Sequence, residues 1–83
     1  MTEYISLNQM KPDESATVES VGGAPSIKQR LEDLGIVPNT EISCIMISPL
    51  GDPVAYLFRG TVIALRREDS ERIKVKIERA EGI

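Results

Sequence analysis

The side chains that most often carry chemistry are sparse in this sequence, and the gaps exclude whole classes of activity. Histidine is absent. That removes Ser-His and Cys-His nucleophile–base pairs, the 2-His-1-carboxylate iron arrangement and every zinc pattern that needs imidazole. The one sulfur nucleophile, Cys44, lies in an apolar run over residues 42–47, where a free cysteine behaves as a small hydrophobe. Glu68, Asp69 and Glu71 could hold a hard divalent cation weakly, but Arg67 and Arg72 flank them, and such interleaved charge reads first as a solvated loop. Gly22-Gly23-Ala24-Pro25-Ser26 precedes a helix start whose free N–H groups attract anions. It lacks the lysine spacing of a phosphate-binding loop and reads as a turn plus cap. No catalytic, cofactor or dedicated metal site emerges, and the expectation is a protein that is not an enzyme.

Cationic residues offer more. Arg59, Arg66 and Arg67 could face the phosphates of a partner's nucleotide or an acidic protein surface, and they could equally be strand-end charges that protect sheet edges. Pro49-Leu50-Gly51-Asp52-Pro53 holds two prolines and a glycine in a rigid turn, and a rigid tip loses little entropy on docking. Leu50, Asp52, Arg59, Arg66 and Arg67 are therefore the expected partner-binding residues, with Pro49, Gly51, Pro53 and Gly60 shaping the turns. Ten basic against thirteen acidic residues give a net charge of −3. That is the wrong sign for affinity built on phosphate neutralisation, so nucleic acid is not an expected partner.

These residues need a small scaffold. Eighty-three residues allow one domain, assigned to 1–83 with a core at about 6–78. After a lead-in over 7–12 that Pro12 keeps out of helix, residues 14–21 form a weakly alternating strand with Ala16, Val18 and Ser20 on one face. A helix follows over about 27–34, with Ser26 and Gln29 as a capping box, Ile27, Leu31 and Leu34 as its apolar stripe, and Gly35 at the left-handed position beyond its end. Residues 42–47 are apolar on both faces, which predicts a central, well-covered strand. Strands over 54–59 and 61–66 flank Gly60, a polar connection of one helical turn spans 67–72, and Ile73, Val75 and Ile77 alternate with charged residues in a final strand. About five short strands and one helix suit a mainly-β, strongly bent antiparallel barrel, with the helix between the first two strands. The unpaired thiol argues for a reducing compartment. Residues 1–4 lack the features of a signal peptide, and no apolar run approaches the roughly 20 residues of a spanning helix, so no direct membrane insertion is expected.

Three stretches, in this order and spacing, resemble the FeoA family: Gln29-Arg30-Leu31-Glu32-Asp33-Leu34-Gly35-Ile36-Val37-Pro38, Ser48-Pro49-Leu50-Gly51-Asp52-Pro53, and Arg59-Gly60-Thr61-Val62-Ile63-Ala64-Leu65-Arg66-Arg67. Asp13 and Asn39 stand where such sequences often have glycine, and both residue types tolerate left-handed backbone. Asp69-Ser70 replaces the usual Glu-Ala. The resemblance implies an SH3-like barrel and a cytoplasmic accessory or regulatory role in bacterial ferrous iron uptake. It also implies contact with FeoB, a membrane transporter with a cytoplasmic guanine-nucleotide-binding domain, which could hold the protein peripherally at the inner membrane. The alternative is a regulatory interaction module similar to the C-terminal domain of iron-dependent repressors.

Overall fold

The computed structural model of the protein describes residues 1–79; the last four of the 1–83 domain lie outside the described residues. In chain order the elements are β1 (Thr2–Ser6), a 3-10 turn (Leu7–Gln9), β2 (Ser15–Val21), α1 (Pro25–Asp33), β3 (Glu41–Ile47), β4 (Val54–Phe58), β5 (Thr61–Leu65), α2 (Arg67–Ser70) and β6 (Ile73–Glu78). All six strands join one antiparallel sheet in the order β1-β6-β2-β3-β4-β5, so β1 and β5 are its edges.

The mainly-β reading stands, with two changes. Its count missed β1, which pairs Thr2 to Ser6 against Glu78 to Lys74 and is held by tertiary pairing rather than by any strong alternation of its own. The helix accordingly lies between the second and third strands. It also starts earlier than the 27–34 span: Ala24 is the N-cap and Pro25 the first helical residue. Proline's fixed φ and missing N–H suit that position, and this places Ser26 inside the first turn, where it caps nothing. Gln29 donates instead to Asp33 Oδ1, one turn on, at 3.0 Å.

The helix end follows expectation. Gly35 has φ 103°, its N–H donates to the Glu32 carbonyl at 2.9 Å and that of Ile36 to the Leu31 carbonyl at 3.1 Å, which together form a Schellman closure. Leu31 and Ile36 are fully buried, whereas Leu34 is exposed: as the C-cap it has left the apolar stripe. Asp13 and Asn39 both adopt left-handed backbone, at φ 72° and 73°.

The core is the concave side of the sheet. Ile73, Val75 and Ile77 of β6 point into it, with Ala16, Val18 and Val21 of β2. Val21 takes the place expected of Ser20 because a bulge between Val18 and Ser20 shifts the alternation by one residue. A second bulge, between Cys44 and Met46 in β3, has a larger effect. Ile42 and Cys44 are buried, but Ile45, Met46 and Ile47 are exposed, so the expectation of a covered strand holds only for its first half. Tyr56 closes the core from β4, fully buried, its hydroxyl donating to the Leu7 carbonyl at 3.4 Å.

Candidate functional site

On the convex side of the sheet, β3, β4 and β5 carry a band of apolar side chains. The register aligns Ser43 with Leu57 and Leu57 with Val62, and Met46 with Ala55 and Ala55 with Ala64. Met46 is 60%, Val62 59% and Leu57 37% exposed. Sequence reasoning assigned none of the three to a site. Their sequence signal was apolarity on both faces of 42–47, 54–58 and 61–65, a pattern that reads as double-sided burial and here belongs in part to an exposed face.

The expected partner-binding residues fall into two groups at opposite ends of β5. At one end, Asp52 Oδ1 accepts a hydrogen bond from the Arg67 backbone N–H at 3.0 Å, which ties the proline turn to the start of α2. Leu50 protrudes beside this junction, 95% exposed. Within the turn the Gly51 N–H donates to the Ser48 carbonyl at 2.7 Å, and the Ser48 N–H to that of Pro53 at 3.2 Å. Leu50, Asp52, Arg66 and Arg67 are thus brought together, although Asp52 serves the scaffold. Arg59 lies across the five residues of β5, about 16 Å of extended chain. It sits with Gly60 in the β4–β5 hairpin, where both have positive φ, 50° and 75°, the signature of a type I′ turn. The three arginines therefore do not form one pocket.

The acidic cluster does not assemble a cation site. Asp69 pairs with Arg30 at 3.0 Å, bridging α2 to α1 beside a shallow groove of roughly 420 Å³. Among the described residues no group of three or more potential ligands converges. Cys44 is buried, and its thiol is pushed up from the ordinary range by desolvation, with Glu14 and Asp13 adding to the effect. Glu14 itself is held below the usual carboxylate range by the Arg79 guanidinium, 3.1 Å away, and by the Lys11 backbone N–H at 2.7 Å. Burial pushes the Tyr56 phenol up to about 12, partly offset by the neighbouring Ser70 hydroxyl.

What this geometry offers is a surface, and comparison with known proteins gives the family and the fold that carry it. The FeoA domain family model matches residues 5–77. This chain belongs to the FeoA domain family. Its fold matches the FeoA-like protein of Clostridium acetobutylicum with a TM-score of 0.87 at 29% identity, over 100% of this chain and 96% of that one. It also matches the zinc complex of Stenotrophomonas maltophilia FeoA, a prokaryotic SH3-domain protein, with a TM-score of 0.74 at 31% identity, over 96% and 99% of the two chains. The SH3-like barrel implied by the resemblance is therefore the fold of this FeoA-family chain. A curated relative, the Fe(2+) transport protein A/Fe(2+) transporter FeoB fusion protein of Porphyromonas gingivalis, is 30% identical over 71 residues. Those cover 86% of this chain, which spans only 8% of that protein's length. The fold also recurs in T. acidophilum IdeR, with a TM-score of 0.79 at 20% identity, over 90% of this chain and 34% of that one. That likeness is one of architecture.

Proposed function

We propose that this FeoA-family protein is a cytoplasmic accessory regulator of ferrous iron uptake that acts by direct contact with a FeoB-type transporter and performs no catalysis of its own. The observation that carries this reading is the Porphyromonas fusion, in which an FeoA-type segment and a FeoB transporter share one polypeptide. Fusion holds two modules at high effective concentration, an arrangement that favours modules which work in contact. The absence of histidine and the arginine engaged by Asp69 support a role that needs no resident cofactor; any divalent cation at Glu68, Asp69 and Glu71 would be held weakly. In this reading Leu50, Arg66 and Arg67 form one contact region and Arg59 a second, with Asp52 setting the height of the first.

Affinity isolation of the cognate transporter on tagged protein, with its GTP hydrolysis and iron uptake measured with and without the protein, is the test. Capture together with a changed rate is the expected result. No capture and no change in either rate would remove the proposal, and equilibrium dialysis showing tight stoichiometric iron binding would replace it with a carrier role. The same fold recurs over about a third of IdeR, a likeness of architecture that leaves as the second reading a regulatory interaction module similar to the C-terminal domain of iron-dependent repressors.

A further inference from the structure

The ladder between β3 and β4 stops short, and a polar groove of about 450 Å³ opens where it ends. The last pair at that end is Ser43–Leu57, beyond which β4 runs into the Arg59-Gly60 hairpin turn. The phase of the neighbouring ladder fixes what is left unpaired there. The Cys44 N–H donates to the Glu14 carbonyl at 2.9 Å and the Val18 N–H to the Thr40 carbonyl at 2.8 Å, so Thr40, Ile42 and Cys44 bond towards β2. The N–H and C=O of Glu41 and Ser43 therefore point away from β2. Those of Ser43 meet Leu57, whereas Glu41 faces the groove with no β4 residue opposite it and no turn bond reaching it.

Other groups around the groove are held without an internal partner. Thr40 lies on its floor, 6% exposed, and its Oγ1 has no hydrogen-bond partner. Buried hydroxyls are nearly always satisfied, so this orphan needs a reason. Asn39 and Arg59, two of the three non-glycine residues with positive φ among those described, both line the groove, at 73° and 50°. Backbone held in sparsely populated conformations gathers at ligand sites.

The charges select the ligand. The groove carries one carboxylate, Glu41, and one guanidinium, Arg59, and neither is in an ion pair among the described residues. Ser43 is already engaged, its Oγ 2.8 Å from that of Ser15. Beyond Asn39 and Glu41 a second groove carries Glu19, Glu78 and Lys76. Lys76 faces Thr17, which in turn faces Glu41, a separation of two strands or about 10 Å that leaves Glu41 without a counter-charge. A bare anion would meet Glu41 with Glu19 and Glu78 behind it, and a bare cation would meet Arg59. A molecule with both signs a few ångströms apart suits both walls. The backbone of Glu41 asks for the same pairing, a donor beside an acceptor. Leu57 and Phe58 supply an apolar wall.

We propose that this groove binds a free α-amino acid with a small apolar side chain, as a one-residue extension of the ladder opposite Glu41. The ammonium donates to the Glu41 carbonyl and lies near its carboxylate; the carboxylate accepts from the Glu41 N–H and pairs with Arg59. The site goes beyond the proposed function and shares only Arg59 with it.

L-valine is the probe, titrated into the full, isotopically labelled chain at low salt, with amide shifts and hydrogen exchange as readouts. Before any ligand is added, the Glu41 amide should exchange quickly beside protected Ile42 and Ser43. Valine should shift the amides of Thr40, Glu41 and Gly60 and slow exchange at Glu41. Isobutylamine, which lacks the carboxylate, isovalerate, which lacks the ammonium, and N-acetyl-valine N-methylamide, which lacks both charges, should each bind about tenfold more weakly or worse. Glu41→Gln and Arg59→Asn should each weaken valine binding about tenfold, and asparagine suits the type I′ turn better than arginine, so that chain keeps its fold. Thr40→Val, which keeps the shape and removes the hydroxyl, should weaken binding as well. A Glu41 amide protected in the free chain, no shifts at millimolar valine, or shifts centred away from the groove would each overturn the proposal. So would binding indifferent to all three substitutions. Equal binding of either singly charged analogue would point to a peptide terminus, and equal binding of the blocked form to a peptide backbone; both outcomes overturn a free amino acid. Because every measurement uses the isolated chain, failure to capture the transporter leaves this site standing, and loss of the site leaves the proposed function standing.

Discussion

Gly35→Ala tests how the hairpin that carries β5 is anchored to the rest of the molecule. Gly35 has φ 103°, and a Cβ placed on it would lie 3.1 Å from Phe58 Cε2. Phe58 is buried at the end of β4, immediately before the Arg59-Gly60 turn. A non-glycine residue forced into left-handed backbone costs about 1–2 kcal/mol, and overpacking against a seated ring adds about 1–3 kcal/mol. The expected loss is therefore about 2–5 kcal/mol, set against a total stability of about 4–12 kcal/mol for a chain of this length. Gly51→Ala is the matched control: Gly51 also has positive φ, 84°, but nothing lies within 4 Å of the added carbon. It should lose only the conformational part, about 1–2 kcal/mol. Urea unfolding at pH 7 with unchanged m values measures both, and combining Gly35→Ala with Phe58→Leu closes a double-mutant cycle whose coupling isolates the ring contact. Equal losses for the two glycine substitutions, or zero coupling to Phe58, would refute the claim that the helix exit and the hairpin are locked through this contact.

Further expectations follow from individual residues. Asp52→Ala should cost about 1 kcal/mol by leaving the Arg67 N–H without its acceptor, and amide exchange at Arg67 should accelerate while that of β6 is unchanged. Glu14→Gln should destabilise most above pH 4.5, because a carboxyl held below its ordinary range contributes above its unfolded pKa and loses that contribution as pH falls through the folded one. Glutamine can still accept the Lys11 N–H, so what is lost is the carboxylate charge paired with Arg79, and urea midpoints of the two chains should converge in acid. Tyr56, raised to about 12, has the opposite sign for an alkaline titration. Its neutral form is favoured by folding, so stability is intact below pH 10 and declines by about 2–3 kcal/mol on the way to pH 12, a slope that Tyr56→Phe should flatten. Cys44 should react with a thiol reagent only as fast as the protein opens, and denaturant should raise the labelling rate in step with unfolding; rapid labelling of native protein would contradict its burial.

How much of this is legible in the sequence depends on where the determining forces act. The Gly35 closure, the left-handed turns at Asp13 and Asn39, the Gly60 hairpin and the alternating strand of Ile73, Val75 and Ile77 were readable because each is governed by backbone sterics or side-chain period within a few residues. The helix start was misread through a local ambiguity: Pro25 and Ser26 are both good initiators, and proline's claim on the first helical position prevailed. The family pattern, spread along most of the chain, was likewise legible.

The sequence by itself determined the strand-rich class, the turn positions and the missing histidine chemistry. Only the tertiary structure decided which apolar residues face water. The bulges after Val18 and Cys44 exchange the two faces of β2 and β3, and a bulge depends on the register with a partner strand rather than on the bulged residues alone. It also decided that β1 exists, that Asp52 belongs to the scaffold while Leu50 protrudes, and that Arg59 stands a strand's length from Arg66 and Arg67. Above all it made β5 an edge. Nothing in Thr61-Val62-Ile63-Ala64-Leu65 distinguishes a central strand from an outer one, because that property belongs to the order of strands in the sheet, set by which long-range pairings bury the most apolar surface.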